Sequence, residues 1–247
     1  MIIMYHNIGD KSGFNTVSLD NFKRQIEFLK SKYSIVSLGN YIQELKEHDS
    51  NDKIVTITFD DAYKSYIDQV IPYLEVEEIQ SIVFVPVSHV GKYNVWDKGS
   101  DKIDIMNWED LKEVSQNLFV EIGSHGLSHS RISKLNNHEI FREIKDSKDI
   151  LEKKLFVKIN HFNFPYGQLN DLNFFSMKIL GELDYISACT ARYNNKNSLR
   201  NIFSLNRIEV EPNDNIDIFK NKCERHYHKK YFKRIVKEML INLRLIN

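Results

Sequence analysis

Only two cysteines occur in 247 residues, Cys189 and Cys223, so no disulfide framework is available to this chain. Cys189, within Tyr185-Ile186-Ser187-Ala188-Cys189-Thr190, reads as a small buried hydrophobe. No apolar run approaches the roughly 18 residues that a membrane-spanning helix requires. The start, Met1-Ile2-Ile3-Met4-Tyr5-His6, has no basic opening, long apolar core or small-residue cleavage site of a secretory leader. With Met1 taken as a native start, a cytoplasmic location is the expectation. A charge excess is also missing: 34 Lys and Arg balance 34 Asp and Glu, which removes the electrostatic reason to expect nucleic acid as a partner. Internal repeats and low-complexity linkers are absent, and no glycine-rich phosphate loop follows the first apolar segment.

The composition, 42% hydrophobic and 28% charged, suits one large globular domain. Short β-branched apolar runs alternate with longer amphipathic segments. The expected strands are Ile2–His6, Ser34–Ser37, Ile54–Asp60, Ser81–Val87, Phe119–His125, His161–Phe164, Tyr185–Thr190 and Leu205–Val210. Helices are expected between them. Leu19–Lys32 has Ser18 as its cap, Asn107–Ser115 opens with an Asn107/Asp110 capping box, and His138–Lys153 carries Ile140, Ile144, Ile150 and Leu151. Strand and helix in alternation imply a parallel sheet. Without a phosphate loop, a closed or nearly closed β/α barrel fits better than an open dinucleotide-binding sheet. His6, Asp60-Asp61, Ser88-His89, His125 and Pro165-Tyr166 all fall at expected strand ends, which in such a barrel gather on one face.

The apolar run Ile54-Val55-Thr56-Ile57-Thr58-Phe59 ends in Asp60-Asp61. Adjacent residues at a strand end point in different directions, so the two carboxylates can divide labour: one binds a metal, the other faces water. A pair of acids at the start of a helix Ala62–Leu74 is the plainer alternative. Ser124-His125-Gly126-Leu127-Ser128-His129 sets two imidazoles at i and i+4, close enough for one metal if the segment turns, with Ser124 and Ser128 as orienting groups. Two His and one Asp hold a divalent ion and leave a position open, the equipment of a metal-dependent hydrolase. Phe162-Asn163-Phe164-Pro165-Tyr166-Gly167 reads as a rigid turn presenting a backbone N–H, with Pro165 and Tyr166 against the pocket.

Thr-Phe-Asp-Asp, Ser-His-x-x-Ser-His and Phe-x-x-Pro-Tyr-Gly, in this order, resemble the polysaccharide deacetylases of carbohydrate esterase family 4, the NodB-homology domain. The resemblance spans residues 1–212. Met4-Tyr5-His6-Asn7-Ile8 and Asn206-Arg207-Ile208 further resemble the poly-N-acetylglucosamine deacetylases. It implies a distorted (β/α)7 barrel that removes an acetyl group from an amino sugar, with Asp60 as base, Asp61, His125 and His129 on a divalent metal, zinc being expected, and the Tyr166 N–H as oxyanion donor. The substrate implied is an N-acetylated glycan or its lipid-linked precursor. An O-acetyl esterase and an inactive glycan-binding barrel are the competing readings. Four departures stand out. Ala62 replaces the usual Gly after the Asp pair. Asn163 replaces an Arg that steadies the catalytic Asp, a place that Arg207 could fill. The late catalytic His is missing from Leu205–Glu211, and His6 is the expected substitute, because the first and last strands of a closed barrel are neighbours. The Asp-Trp element that orients the acid has no clear counterpart.

From Lys220 onward nine basic residues face two acids. Residues 226–247 carry Tyr231, Phe232, Ile235, Val236, Met239, Leu240 and Leu243 at helical spacing among them. A barrel over 1–212 with a basic amphipathic helical extension over 213–247 is therefore expected. That extension either packs on the barrel or contacts anionic lipid at the inner membrane face.

Overall fold

Seven strands are buried along most of their length, as a sheet covered on both faces requires. In the computed structural model, which describes residues 1–11, 13–48 and 53–224, they are parallel and close on themselves. The order of elements is β1 (Ile2–Tyr5), β2 (Asn7–Gly9), β3 (Thr16–Ser18), α1 (Leu19–Lys32), β4 (Ser34–Ile35), α2 (Leu38–Glu47), β5 (Ile54–Phe59), α3 (Ile71–Val76), β6 (Ser81–Val85), α4 (Trp108–Ser115), β7 (Val120–Ser124), α5 (Asn137–Leu155), β8 (His161–Asn163), α6 (Phe174–Glu182), β9 (Ser187–Tyr193), β10 (Leu205–Glu209) and α7 (Ile216–Cys223). β1 pairs with β5 on one side, Ile2↔Thr56 to Tyr5↔Phe59, and with β10 on the other, Ile3↔Ile208 and Met4↔Glu209. The ring then runs β5-β6-β7-β8-β9-β10. The short β4 pairs with the start of β5, and β2 pairs with β3 apart from the barrel.

The barrel is distorted where β9 meets β10. Leu205 faces Cys189, yet Arg207 faces Tyr193, so β9 carries extra residues over Thr190–Arg192. The bulge turns the Ala191 N–H toward Gly167 O, 3.0 Å away, and ties β9 to the turn after β8. Gly167 is required there: a Cβ would lie 2.5 Å from the Ala191 nitrogen. Gly123 on β7 is equally constrained, because its Cβ would meet the Phe84 ring at 2.4 Å.

Side chains alternate along each strand. Ile2, Ile82, Phe84, Cys189 and Leu205 form a buried cluster with Leu38, Tyr41, Ile42 and Leu45 of α2. One turn of the alternation further along, Met4, His6, Asp60, His125, Arg207 and Glu209 line a cavity at the opposite end. α1, α4 and α5 begin where their caps require. Ser18 accepts from Asn21 N, and Asn107 and Asp110 form the reciprocal capping box at 2.9 Å each way. After Asp61 the chain does not enter a helix at Ala62: both residues have left-handed backbone, φ +69° and +52°, and helix begins only with the π-helical turns Tyr66–Val70. The expected strand Tyr185–Thr190 becomes Ser187–Tyr193. Packing also continues past the expected boundary at 212. Phe219 of α7 is fully buried, with its ring 6.0 Å from that of Phe28 on α1, and Cys223 is buried beside it in the main core. The basic stretch 226–247 lies outside the described residues.

Candidate metal-dependent active site

Asp60 still belongs to the sheet, its N–H donating to Tyr5 O at 2.9 Å. The left-handed turn at Asp61 then sends the next carboxylate across the barrel mouth. There Asp61 Oδ1 lies 3.4 Å from His125 Nε2 and 3.3 Å from His129 Nε2. All three side chains are buried, and among the described residues Asp61 Oδ1 makes no hydrogen bond. One carboxylate oxygen without a hydrogen-bond partner and two imidazole nitrogens, buried together within 4.8 Å, are the donor set of a divalent cation with a position left open. His125 Nδ1 lies 2.9 Å from Asn163 O, a bond in which Nδ1 must be the donor, so Nε2 keeps its lone pair for the metal. Burial works against ionisation of Asp61, but the two imidazoles outweigh it and hold the carboxyl well below the usual range.

The second carboxylate has a different environment. Arg207, 1% exposed, grips Asp60 with a fork: Nη1 to Oδ1 and Nη2 to Oδ2, both 2.7 Å. Its remaining donors go to Thr190 O (2.8 Å), Thr58 Oγ1 (3.0 Å) and Asn163 Oδ1 (2.9 Å), so all five guanidinium N–H groups are used. Burial raises the Asp60 pKa; the charge and hydrogen bonds of Arg207 reverse the direction, with His125 and His6 adding to the lowering. Arg207 thus occupies the place expected for it, and Asn163, standing where an Arg was expected, accepts from it.

Tyr166 sits at φ +62°, and among the described residues its N–H makes no hydrogen bond. Its ring is 5.1 Å from that of His129 and lies under the Arg131 guanidinium at 3.9 Å. Arg131 is itself held by Asp171 at 2.9 Å. Pro165 does not line the cavity as expected; it is buried, and its ring backs Gly126. Proline shapes this turn because its fixed φ directs the chain into Tyr166. His6 is half-buried on the cavity wall, close enough for its charge to act on Asp60 and on Asp97.

Trp96 and Asp97 are the residues that sequence reasoning missed. They lie in the long loop between β6 and α4, where no periodicity marks them. Trp96 stacks on the His129 ring, centroids 3.9 Å apart and planes 25° apart. Asp97 lines the same cavity as the metal ligands and accepts from Asn94 Nδ2 at 3.2 Å. Buried Asn94 organises the whole loop, bonding also to Asp101 O and Ile103 N. The only sequence signal was a Trp-Asp pair in a polar loop. The cavity, about 180 Å³, also takes in Asn15, Gln168 and Glu209. Ser124 and Ser128 hold the loop between the two histidines; among the described contacts neither touches an imidazole through its side chain.

Comparison with known proteins gives a consistent result. The profile of the polysaccharide deacetylase family matches residues 47–182. The peptidoglycan-N-acetylmuramic acid deacetylase PdaC of Bacillus subtilis is 29% identical over 152 residues, 60% of this chain and 28% of PdaC. The poly-beta-1,6-N-acetyl-D-glucosamine N-deacetylase of Escherichia coli K12 is 23% identical over 219 residues, 72% of this chain and 32% of that protein. The chain therefore spans about a third or less of either relative. Streptococcus pyogenes deacetylase PplD, solved in complex with acetate, superposes with a TM-score of 0.75 at 23% identity, covering 90% of this chain and 97% of PplD.

Proposed function

The chain belongs to the polysaccharide deacetylase family, hydrolases of carbon–nitrogen bonds other than peptide bonds, and we propose that it hydrolyses the N-acetyl amide of an amino sugar in a surface glycan or its lipid-linked precursor. The observation that carries this reading is the pairing of two buried carboxylates with different partners. Asp61 faces two imidazoles, and Asp60, its neighbour, is clamped by Arg207 in the same cavity.

Asp61, His125 and His129 would hold the metal, with zinc the ion that suits two imidazoles, one carboxylate and an open position. When bound there, a divalent ion polarises the scissile carbonyl and acidifies the attacking water. Asp60 takes the proton from that water. Arg207 is a positioning residue: it keeps Asp60 ionised and both its oxygens fixed, leaving each a further lone pair for the incoming proton. The free Tyr166 N–H donates to the oxyanion as the carbonyl carbon becomes tetrahedral. His6, on the wall beside Asp60, gives its proton to the leaving amine, which turns a poor anionic leaving group into a neutral one. Trp96 closes one side of the cavity and keeps bulk water from the His129 side of the site.

The test is acetate release from N-acetylated chito-oligomers, a lipid-linked N-acetylhexosamine and an O-acetylated polysaccharide. Release is expected from the N-acetylated sugars, lost after treatment with chelator and regained with zinc. Release from the O-acetylated polymer alone would overturn the amidase reading in favour of an esterase.

A further inference from the structure

The loop that carries the second metal histidine is clamped from two sides, and the two clamps are of different kinds. Its carbonyls are held by the short turn Val87–His89 that follows β6. Val87 N donates to Gly126 O at 3.2 Å, Ser88 N to Leu127 O at 2.7 Å, and the His89 ring, through Nε2, to Ser128 O at 3.1 Å. Two of these three donors are main-chain groups that no substitution other than proline removes. On the amide side one side chain does the whole task. Glu143 on α5, 7% exposed, accepts from Leu127 N and Ser128 N through Oε2, both 2.9 Å, and from Ser128 Oγ through Oε1, 2.5 Å.

Glu143 stands on the buried face of α5 with Ile140, Ile144, Ser147, Leu151 and Leu155. A carboxyl side chain on such a face needs a compensating set of donors, and the loop supplies three. The fit is close: a Cβ on Gly126, which has φ +76°, would lie 3.1 Å from Glu143 Oε2. Directly after the two amides held by Glu143 comes His129, whose own backbone is left-handed at φ +58°. A non-glycine residue leaves that conformation unless its surroundings enforce it.

We infer that Glu143 is a positioning residue for the metal centre: its carboxylate, by pinning the Leu127 and Ser128 amides, holds His129 in the left-handed turn that brings Nε2 to Asp61 and so sets metal affinity. This rests on Asp61, His125 and His129 holding a metal and not on which sugar is cleaved. A glutamine can keep the shape, with its amide oxygen on the two N–H groups and its NH2 facing the Ser128 hydroxyl, which then accepts. An alanine leaves the half-buried Leu127 and Ser128 amides without this acceptor.

The experiment measures the zinc dissociation constant of the full chain by competition with a chromogenic chelator, alongside the unfolding midpoint of the metal-free protein. Glu143→Ala is expected to weaken zinc about 10- to 100-fold, and Glu143→Gln less than about fivefold. Glu139→Ala is the control. It removes the acceptor of Asn136 N (2.8 Å) at the start of α5, and so loosens the same helix without touching the loop. It should lower the midpoint and leave zinc affinity unchanged. Zinc binding by Glu143→Ala within twofold of the natural chain would overturn the inference, as would an equal loss of affinity in Glu139→Ala. Zinc binding by the natural chain without acetyl hydrolysis would overturn the proposed function and leave Glu143 in its role.

Discussion

Asp60 and Asp61 are chemically identical neighbours that end in different jobs because one backbone dihedral separates them. Asp60 keeps extended backbone and lies beside Arg207; Asp61, at φ +69°, is thrown toward the histidines. Left-handed backbone recurs at Ala62, His129 and Tyr166, so the site concentrates conformations that cost of order 1 kcal/mol or more apiece for non-glycine residues. The motif spacing made both carboxylates and both histidines legible, and the missing Arg pointed to Arg207. What spacing could not convey is that all five Arg207 donors are taken, because their acceptors come from β5, β8 and β9. Two outcomes follow. Asp60→Asn should retain zinc and lose roughly 10²- to 10⁴-fold in kcat. Arg207→Lys keeps a charge but loses the fork, so burial, which raises the Asp60 pKa, is less opposed. Since Asp60 must be ionised to accept a proton, activity should fail at a higher pH on acidification. The acid limb of kcat/KM, measured at saturating zinc, should shift upward, and an unmoved limb would remove Asp60 as the titrating base.

At the scale of elements, strands and capped helices were readable from their own residues, because apolar runs and capping boxes act locally. The tiny β2–β3 pair, the bulge in β9 and the π-helical turns after Ser65 were not, since each answers to neighbours distant in sequence. β8 shows a further consequence. His161, at its start, is buried with Nδ1 2.8 Å from Ser187 Oγ, and burial, with the charge of Lys148 adding, pushes its imidazole down to about 3. The unfolded chain's histidine titrates near 6.5. Between those values the unfolded chain binds a proton that the folded chain refuses, so stability falls as pH falls through that window and is unaffected above it. Urea unfolding at pH 7.5 and pH 5.0 should therefore show His161→Gln losing about 2 kcal/mol less than the natural chain on acidification. Parallel losses in the two would show that His161 is protonated in the folded state.

For the whole molecule the decisive event is closure. β1 can bond to both β5 and β10 only when all the intervening units are in place: its pairing with β5 sets His6 beside Asp60, and its pairing with β10 carries Arg207 from the far end of the barrel sequence to the same cavity. α7 belongs to the same unit. Lys222 is buried against Asp214 (2.5 Å) and Glu211 (3.0 Å), and Asp214 O accepts from Gln25, which in turn accepts from the Tyr5 hydroxyl. A chain ended at Pro212 would expose the pocket of Phe219 and leave this network open. It should be at least about 3 kcal/mol less stable than the full chain by urea unfolding. Equal stability of the two would place the edge of the barrel at 212 after all. Glu224, the last described residue, pairs with Lys32 at the C-terminal end of α1 (3.1 Å), which leads into β4. The chain thus leaves the described fold at the end of the barrel opposite the cavity.

By itself the sequence determined the class of fold, the order of its strands, and the two carboxylates and two histidines of the site, because these depend on periodicity and on short motifs whose residues act within a few positions of one another. Only the tertiary structure decided which residues serve those groups. Arg207 reaches Asp60 across the barrel, Trp96 covers His129 from an aperiodic loop, and Glu143 reaches back from α5 to the amides before His129. Pro165, too, turned out to back the site and not to line it. Each of these contacts joins segments 15 to about 150 residues apart, and no local pattern encodes a partner that only the closing of the barrel brings within reach.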